Sequence, residues 1–376
     1  MTNLVFYRKY RPQTFAEIVG QEHVVKTITN ALKANKTAHA YLFCGPRGSG
    51  KTTVARLLAK ALNCQNRVGF EPCGKCASCI DIAKGSAVDL IEIDAASHRG
   101  IDDIRELKEG IKFTPVGFGK KVYIIDEAHQ LTKEASNALL KMLEEAPEHV
   151  VFILATTEAH KMMGTINSRC QRFDFRKLTV SELIKRLEGI VKKEGINIER
   201  EAIELIALNS EGSARDSEVL LGQIASFFPD SKKKIKAEDI EDLLGLVDVG
   251  IACQMADFIL AKDAKGAFDI VNTLGDRGKD IREFAKMFTD YLRKIMIVKI
   301  MGEDSNQKSS PVINTILAGL TEEDFKSMKR QSEDFSSEDL VNNLEIMIET
   351  QNKMKYSTIL QLPLELAIIK MVGIKG

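Results

Sequence analysis

The sequence lacks an excess of charge of either sign. Its 376 residues include 53 lysines and arginines and 53 aspartates and glutamates, so the formal net charge is zero. Proteins that bind nucleic acid through a broad electrostatic field need an excess of lysine and arginine near the phosphates. No such field can attract DNA here, and any DNA contact must be local.

Long apolar runs and targeting segments are missing as well. No apolar run approaches the roughly 20 residues that a membrane-spanning helix needs. The N-terminus has no charged start followed by an apolar core, which a secretory signal would show. The chain also has no internal repeat and no extended low-complexity tract. We therefore expect a soluble, cytoplasmic protein without a membrane partner, and the length predicts two or three domains.

A glycine-rich octapeptide is the first motif that the sequence does contain: Gly45-Pro46-Arg47-Gly48-Ser49-Gly50-Lys51-Thr52. It fits G-x-x-x-x-G-K-[ST], in which backbone N–H groups surround phosphates, the lysine neutralises charge and the hydroxyl reaches Mg²⁺. An apolar segment at 40–44 has the character of a buried strand, and 52–62 has helical apolar spacing. Strand, loop and helix follow in the order that a site for ATP or GTP requires, which disfavours a chance glycine-rich turn.

Two adjacent carboxylates, Asp126 and Glu127, end a β-branched segment at 121–125. Because side chains alternate along a strand, the two acids have different tasks. We expect Asp126 to hold Mg²⁺ through water and Glu127 to polarise the attacking water. The next apolar segment, 150–155, leads to Thr157 at the sheet edge where ligands collect in open α/β folds. Thr157 is a candidate for orienting the water, although a lone threonine there also suits a plain strand end.

Four cysteines follow the phosphate-loop helix with the spacing Cys64-x8-Cys73-x2-Cys76-x2-Cys79. Thiolates this close together suit tetrahedral zinc. Disulfides are disfavoured because nothing marks the chain as secreted. A redox C-x-x-C is a weaker alternative, since two overlapping knuckles and a fourth cysteine favour a metal. Four protein ligands leave no open position for a substrate, so we expect the zinc to be structural.

Together with several shorter segments, these motifs resemble the AAA+ ATPases and, within them, the tau/gamma subunit family of the bacterial DNA polymerase III clamp loader. The similarity is densest over residues 4–220 and weak beyond 243. The segments that carry it, in the family's usual order, are Tyr7-Arg8-Lys9-Tyr10-Arg11-Pro12, Phe15, Val19-Gly20-Gln21, 39–43, the four cysteines, 92–97, 154–157, Ser168-Arg169-Cys170 and Gly212-Ser213-Ala214-Arg215-Asp216.

The resemblance implies roles at the matching positions. Arg169 would be an arginine finger that reaches the γ-phosphate held by a neighbouring subunit, and such fingers are worth roughly a thousandfold or more in rate. Arg215 would sense the nucleotide of its own chain. The implied catalytic set is Lys51, Asp126, Glu127, Thr157, Arg169 in trans and Arg215, with Thr52 and Asp126 holding Mg²⁺. The implied nucleotide contacts are Tyr7, Arg11, Pro12, Val19, Gly45, Pro46, Arg47, Gly48, Ser49, Gly50, Lys51, Thr52, Thr53 and Arg215.

Partners follow from the same resemblance. Five related subunits would form a ring that holds a sliding clamp open around primer-template DNA. Loops facing the ring's central chamber would touch the DNA backbone, and the matching positions are His98, Arg99 and Lys141. Phosphate contacts carry no sequence information, so we expect salt-dependent recognition of a primed junction. Polymerase and helicase would bind only segments of a longer form, which this chain, ending at Gly376, does not include.

The order of helix and strand patterns predicts an α/β fold with three domains. Residues 1–177 alternate strand and helix, as a parallel sheet covered on both faces requires, and carry the zinc module at about 64–79. A capping-box spacing at 179–182 opens a small helical lid, which we place at 178–243. Residues 244–376 show helical periodicity without chemistry at ligand spacing, and the resemblance implies an all-α collar that joins the subunits.

Two other functions stay open at this point. A different AAA+ DNA-remodelling ATPase, such as a branch-migration motor, would lack the cysteine insertion. A non-catalytic scaffold subunit of the same ring would have a degraded phosphate loop, whereas Lys51, Thr52, Asp126 and Glu127 are intact. The sequence therefore favours an ATPase subunit of the clamp loader, using ATP, Mg²⁺ and Zn²⁺, whose ATP binding and hydrolysis drive clamp loading.

Overall fold

The structure is a computed structural model that describes residues 5–98, 100–117, 119–228, 234–244, 249–302 and 322–373. The chain divides into two compact units, 1–234 and 235–376, and each has its own apolar core. The three-domain boundaries at 177/178 and 243/244 stay a prediction. Within the described ranges, no helix combines the length and the apolar character that crossing a membrane requires.

A five-stranded parallel sheet forms the centre of the first unit. Its order is β2-β3-β4-β1-β5, and its strands are Ala40–Cys44 (β1), Leu90–Asp94 (β2), Lys121–Asp126 (β3), Val150–Thr156 (β4) and Gln171–Asp174 (β5). Alternate side chains enter two different cores: Leu42 of β1 joins one, and Tyr41 and Phe43 join the other. The sheet is thus buried on both faces, as all-parallel sheets are, and the predicted α/β fold is confirmed.

Seven helices belong to this sheet domain among the described residues: Phe6–Lys9 (α1), Glu22–Lys33 (α2), Lys51–Leu62 (α3), Ala77–Lys84 (α4), Ile101–Ile111 (α5), Lys133–Glu144 (α6) and Gly164–Asn167 (α7). Ile28 of α2 and Leu58 of α3 are fully buried against one face of the sheet. Ile104 of α5 and Leu139 of α6 are fully buried against the other face. These apolar stripes hold the helices in place, because a helix and a sheet must each bury one face against a partner.

The strand order creates a crevice beside β1. The chain leaves β1 toward β2 at one edge of the sheet, whereas it leaves β4 in the opposite direction, toward β5. In open α/β sheets, ligands bind outside the carboxyl ends of the strands at such a reversal. The glycine-rich loop follows β1, Asp126 ends β3 and Thr156 ends β4, so the crevice collects the predicted chemistry.

Three lid helices complete the first unit: Val180–Glu194 (α8), Arg200–Asn209 (α9) and Ala214–Phe227 (α10). Thr179 caps α8, since its hydroxyl oxygen accepts a hydrogen bond from Glu182 N at 3.3 Å and Glu182 Oε2 accepts one from Thr179 N at 2.8 Å. This reciprocal pair is the capping box that the sequence spacing predicts.

The regular secondary structure of the second unit, from residue 237 onward among the described residues, is helical. Its helices are Ala237–Leu244 (α11), Val249–Leu260 (α12), Ala264–Asp276 (α13), Ile281–Gly302 (α14), Glu322–Asp334 (α15), Ser337–Met354 (α16) and Leu362–Val372 (α17). Phe284, Phe288 and Leu292 form one buried stripe along α14. The hydroxyl of buried Tyr291 donates to Gln331 Oε1 at 2.7 Å, which satisfies both polar groups inside the core. The predicted helical C-terminal region is confirmed.

Candidate nucleotide site and metal centre

The glycine-rich loop needs glycine at two positions for reasons of space. At Gly48, where φ is +73°, an added Cβ would lie 1.9 Å from Ser213 Oγ of the lid. At Gly45, where φ is +152°, it would lie 2.4 Å from the carbonyl oxygen of Phe175. Both backbone conformations are costly for other residues, so the loop conformation depends on these glycines.

Lys51 opens α3 with its ammonium group inside the loop. Its Nζ donates to the carbonyl oxygens of Gly45 at 2.7 Å and Pro46 at 2.8 Å, and the residue is only 6% exposed. Burial lowers the pKa of Lys51, and the nearby carboxylates of Glu127 and Asp126 oppose that lowering. The cation is therefore held at the centre of the loop, where phosphate charge would need it.

Thr52 and Asp126 lie side by side at the carboxyl edge of the sheet. Thr52 Oγ1 donates to Asp126 Oδ2 at 2.8 Å, which joins the start of α3 to the end of β3. A hydroxyl and a carboxylate oxygen are hard ligands that suit Mg²⁺, which keeps several waters and takes few protein ligands. The pair fits the predicted metal role, in which the Thr52 hydroxyl would bind Mg²⁺ and the Asp126 carboxylate would hold it through water.

Glu127 is tied to the end of β4. Its Oε2 accepts hydrogen bonds from Thr157 Oγ1 at 2.8 Å and from Thr157 N at 3.3 Å. The backbone of Glu127 has φ 47°, a left-handed conformation that is uncommon outside glycine. Two residues predicted from the sequence are therefore in contact, and Thr157 orients the carboxylate of Glu127 through hydrogen bonds.

One cavity of about 420 Å³ contains most of the predicted nucleotide residues. Four of the predicted residues do not line it: Thr157, Arg169, Gly45 and Pro46. The carbonyl oxygens of Gly45 and Pro46 instead accept hydrogen bonds from Lys51 Nζ. Its predicted lining residues are Tyr7, Arg11, Pro12, Val19, Arg47, Gly48, Ser49, Gly50, Lys51, Thr52, Thr53, Asp126, Glu127 and Arg215. Segments far apart in the chain thus converge on one pocket.

The lid touches the phosphate loop directly. Ala214 N donates to Gly48 O at 3.2 Å, at the first turn of α10. One residue further on, the guanidinium carbon of Arg215 lies 4.7 Å from the centre of the Tyr7 ring, within range of a cation–π contact. The start of α10 therefore joins the loop and the N-terminal segment around the same cavity.

The predictions missed a buried ion pair in the cavity wall. Arg186 of α8 pairs through Nε with Glu218 Oε1 of α10, and the two side chains are 14% and 3% exposed. Arg186 also donates to Tyr10 O at 3.1 Å, which ties the N-terminal segment to the lid. Glu218 follows Arg215 by three residues, so it shares a helix face with it. That spacing is the signal that could have identified Glu218.

Arg169 lies after α7, away from the cavity of its own chain. Its Nε donates to Glu144 Oε1 at 2.8 Å and its Nη1 donates to the carbonyl oxygen of Thr165 at 2.8 Å. Its Nη2 also contacts Glu144. About a third of the side chain is exposed, so the guanidinium is oriented by α6 at the protein surface.

The four cysteines form a compact cluster in the segment from the end of α3 to the first turn of α4. Their Sγ atoms all lie within 4.8 Å of one another, and Cys73 and Cys79 are 4.0 Å apart. Zn–S bonds of about 2.3 Å in a tetrahedron place sulfurs about 3.8 Å apart, so the set fits zinc. Amide donors on Lys75 and Cys76 lower the pKa of Cys73 to about 6, which favours its thiolate, whereas burial raises the pKa of Cys64 and of Cys79.

Two of the three predicted DNA positions can be described. His98 is exposed, and its Nδ1 lies 3.1 Å from Asp103 Oδ1 at the start of α5. Lys141 is exposed on α6, which packs against α5. Arg99 lies outside the described residues. Both described side chains are at the protein surface, as contacts with the phosphate backbone of DNA would require.

Comparison with known proteins assigns family models to three parts of the chain. The matches are "DNA polymerase III, delta subunit" over residues 20–179, "DNA polymerase III clamp loader subunit, ATPase lid domain" over 182–227, and "DNA polymerase III subunits gamma and tau domain III" over 235–376. Among solved structures, the RuvB Holliday junction branch migration motor of Thermotoga maritima aligns with 66% of this chain and 79% of that chain, at a TM-score of 0.48 and 22% identity.

Curated relatives are similar over most of the chain. DNA polymerase III subunit tau of Bacillus subtilis is 40% identical over 371 residues, which are 98% of this chain and 63% of that protein. The chain also spans 48% of the gamma/tau subunit of Mycoplasma genitalium, at 43% identity over 79% of its own length. DNA polymerase III subunit gamma of Buchnera aphidicola is 39% identical over 307 residues, 82% of this chain and 84% of that protein. The chain therefore belongs to the gamma/tau subunit family of DNA polymerase III.

Proposed function

We propose that this chain is an ATPase subunit of a clamp loader, in which ATP binding and hydrolysis drive loading of a sliding clamp onto primer-template DNA. The observation that carries the proposal is the convergence of Lys51, Thr52, Asp126, Glu127 and Arg215 on one cavity at the carboxyl edge of the sheet. A phosphate-binding loop, a magnesium pair and a water-polarising carboxylate are the parts that phosphoryl transfer needs.

The residues divide the work as follows. Lys51 offsets phosphate charge, Thr52 and Asp126 hold Mg²⁺, and Glu127 polarises the attacking water. Thr157 fixes Glu127 through its hydroxyl and its amide. Arg215 senses the nucleotide from the first turn of α10, where the neighbouring Ala214 N–H is bonded to the phosphate loop. Gly45 and Pro46 contribute backbone rather than cavity surface.

Arg169 acts on the nucleotide of a neighbouring subunit. Its absence from the lining of its own cavity supports this role, as does its orientation by Glu144 at the surface. A related subunit placed against α6 and α7 would receive the guanidinium at its γ-phosphate. The ring would contain five related subunits joined by a collar that begins near residue 244, with the lid at 178–243 and the nucleotide domain at 1–177.

The other assignments are parts of the same proposal. Cys64, Cys73, Cys76 and Cys79 hold a structural zinc, which fixes the segment between α3 and α4 and takes no part in hydrolysis. His98, Arg99 and Lys141 contact the DNA backbone without reading sequence. The assembly works in the cytoplasm on the sliding clamp and primed DNA.

Mixing two inactive variants tests the shared site. The first variant carries Lys51→Ala and cannot hydrolyse ATP in its own site. The second carries Arg169→Ala and cannot supply the arginine to the site of the neighbouring subunit. Each alone, in complex with companion subunits, clamp and primed DNA, should lose at least about a hundredfold in ATP turnover. Rings that contain both variants should recover activity, because the first donates its arginine to the nucleotide of the second.

Arg172→Ala is the matched control, since Arg172 is an exposed arginine three residues away that pairs with Asp174. It should retain wild-type turnover. Wild-type turnover in the Lys51→Ala complex would instead identify this chain as a scaffold. No recovery in the mixed rings, with both single variants inactive, would reject donation in trans.

A further inference from the structure

A buried imidazole lies directly behind the carboxylate of Glu127. His129 sits in the short helical turn Ala128–Gln130, and its side chain is 6% exposed. Its Nδ1 lies 3.0 Å from Thr156 Oγ1 and 3.4 Å from Glu127 Oε2. Its Nε2 lies 3.1 Å from Glu158 Oε2. The ring thus bridges two carboxylates at the ends of β3 and β4.

Contacts from β4 hold the imidazole in one orientation. A carboxylate can only accept, so Glu158 requires the hydrogen on Nε2. Glu158 is itself anchored: its carboxylate accepts a hydrogen bond from Lys161 Nζ at 2.9 Å, and its backbone N donates to Thr156 Oγ1 at 3.1 Å. A ring fixed by one partner presents its other nitrogen in a defined direction, as histidines in metal sites do.

The hydrogen bonds from described residues to the Glu127 carboxylate all reach one of its two oxygens, Oε2. Thr157 Oγ1 and Thr157 N both donate to Oε2. The His129 ring lies 3.4 Å from the same oxygen but, with its hydrogen on Nε2, does not donate to it. Among the described residues, none donates a hydrogen bond to Oε1. One oxygen of the carboxylate is therefore fixed by protein, and the other is left for water in the cavity that Glu127 lines.

We propose that His129 is a positioning residue for Glu127: the ring, held by Glu158, closes the space behind Oε2 and keeps Oε1 directed at the attacking water. The inference rests on the proposed ATP hydrolysis. Without the contacts of its two nitrogens with Thr156 and Glu158, the ring is no longer held in place, and the carboxylate gains room to rotate away from Thr157. A misplacement of about 1 Å in a reacting group can cost about a hundredfold in rate, whereas nucleotide affinity depends on other residues.

Substitutions at His129 separate its two contacts. His129→Phe keeps a ring and removes both nitrogens; His129→Gln keeps a donor near the Nε2 position, and His129→Asn keeps a polar group near Nδ1. The phenylalanine variant should lower kcat about ten- to a hundredfold while the Kd of a fluorescent ATP analogue stays within about twofold. At least one amide variant should recover part of kcat. His149→Gln is the control, because His149 lies at the opposite end of β4 and bonds to Ile111 O.

A double-variant cycle with Glu127→Gln decides whether His129 acts through Glu127. In that background, His129→Phe should change kcat by less than about twofold, since the group that it positions is already lost. A further loss of the full size, or a single variant with wild-type kcat, would overturn the inference. If His129→Phe does not fold, Glu158→Ala applies the same comparison, because it removes the acceptor that holds Nε2. A wild type without any ATP turnover would reject the proposed function, and this inference with it.

Discussion

Glu182 links the lid to the segment that leads into it, and its charge should be measurable in the stability of the first unit. The residue lies in the first turn of α8. Its Oε1 accepts a hydrogen bond from Arg176 Nη2 at 2.6 Å, and its Oε2 accepts hydrogen bonds from Arg176 Nη1 at 2.9 Å and Thr179 N at 2.8 Å. Glu182→Gln keeps the size and the acceptor oxygen but removes the charge, so it isolates the electrostatic part.

The magnitude follows from the pKa of this carboxyl. The two hydrogen bonds from Arg176 lower the pKa of Glu182 from its ordinary 4.5 to about 2, and burial opposes that change. At about 1.4 kcal/mol per pKa unit, the ionised form is favoured in the folded protein by about 3 kcal/mol. The side chain is 20% exposed, so solvent screening reduces the expected contribution to about 2 kcal/mol.

The sign of the pH dependence is fixed by the same pKa. Because the folded-state pKa lies below the unfolded one, the contribution is fully present above pH 4.5 and is lost as the pH falls toward 2. Glu182→Gln should therefore lower the Tm of the first unit at pH 7 by about 4–8 °C, as expected for about 2 kcal/mol in a unit of this size. The difference from wild type should shrink at pH 3.

Calorimetry of wild type, Glu182→Gln and Glu188→Gln at pH 7, 5 and 3 makes the comparison. Glu188 is exposed on the same helix and makes no ion pair in the described residues, so its variant should unfold like wild type. A Tm difference for Glu182→Gln that is equal at pH 7 and pH 3 would show that packing, not charge, is lost. If Glu182→Gln and wild type had the same Tm at pH 7, the charge of Glu182 would not stabilise the first unit, and the prediction would be wrong.

Three further predictions concern the metal, the arginine and the loop. Cys76→Ser should reduce bound zinc, measured by colorimetric release, from about one per chain to almost none, because three thiolates leave the tetrahedral set incomplete. For the proposed role of Arg169 in trans, Glu144→Gln should lower ATP turnover in the assembled complex by about three- to tenfold, because it removes the negative charge that orients the guanidinium, whereas Glu145→Gln should not. Gly48→Ala should weaken nucleotide binding, measured by calorimetric titration, at least about tenfold, because its Cβ would meet the lid hydroxyl at 1.9 Å; Gly69→Ala, with a similar φ of +63° but open space, should not.

Local motifs were predictable because their chemistry is contained within a few residues. The glycine loop with Lys51, the carboxylates that end β3 and the four cysteines each depend on spacing along one short segment. The ends of β3 and β4 were predicted to within one residue: the apolar runs 121–125 and 150–155 correspond to strands that end at Asp126 and Thr156. The alternation of strand and helix segments over residues 1–177 also predicted a parallel sheet with both faces covered.

Pairings between distant segments were not predictable in the same way. Thr157 meets Glu127 across 30 residues, Arg169 meets Glu144 across 25, and Arg186 meets Glu218 across 32. Each contact depends on how helices and strands pack, and one sequence records no distances between them. The pattern of the sequence shows where strands and helices end and which polar side chains follow them. Which of these side chains contact each other depends on how the elements pack.

The contact between lid and loop has a mechanical consequence. The first N–H groups of a helix lack partners within the helix, and in α10 the Ala214 N–H is bonded to Gly48 O. An added Cβ at Gly48 would lie 1.9 Å from Ser213 Oγ, so the loop backbone has no space for a side chain where it faces the lid. Any lid movement away from the loop must break this bond and carry Arg215 with it, since the two residues are adjacent. The position of the lid and the position of Arg215 beside the cavity are therefore coupled through one turn of helix, without a separate relay.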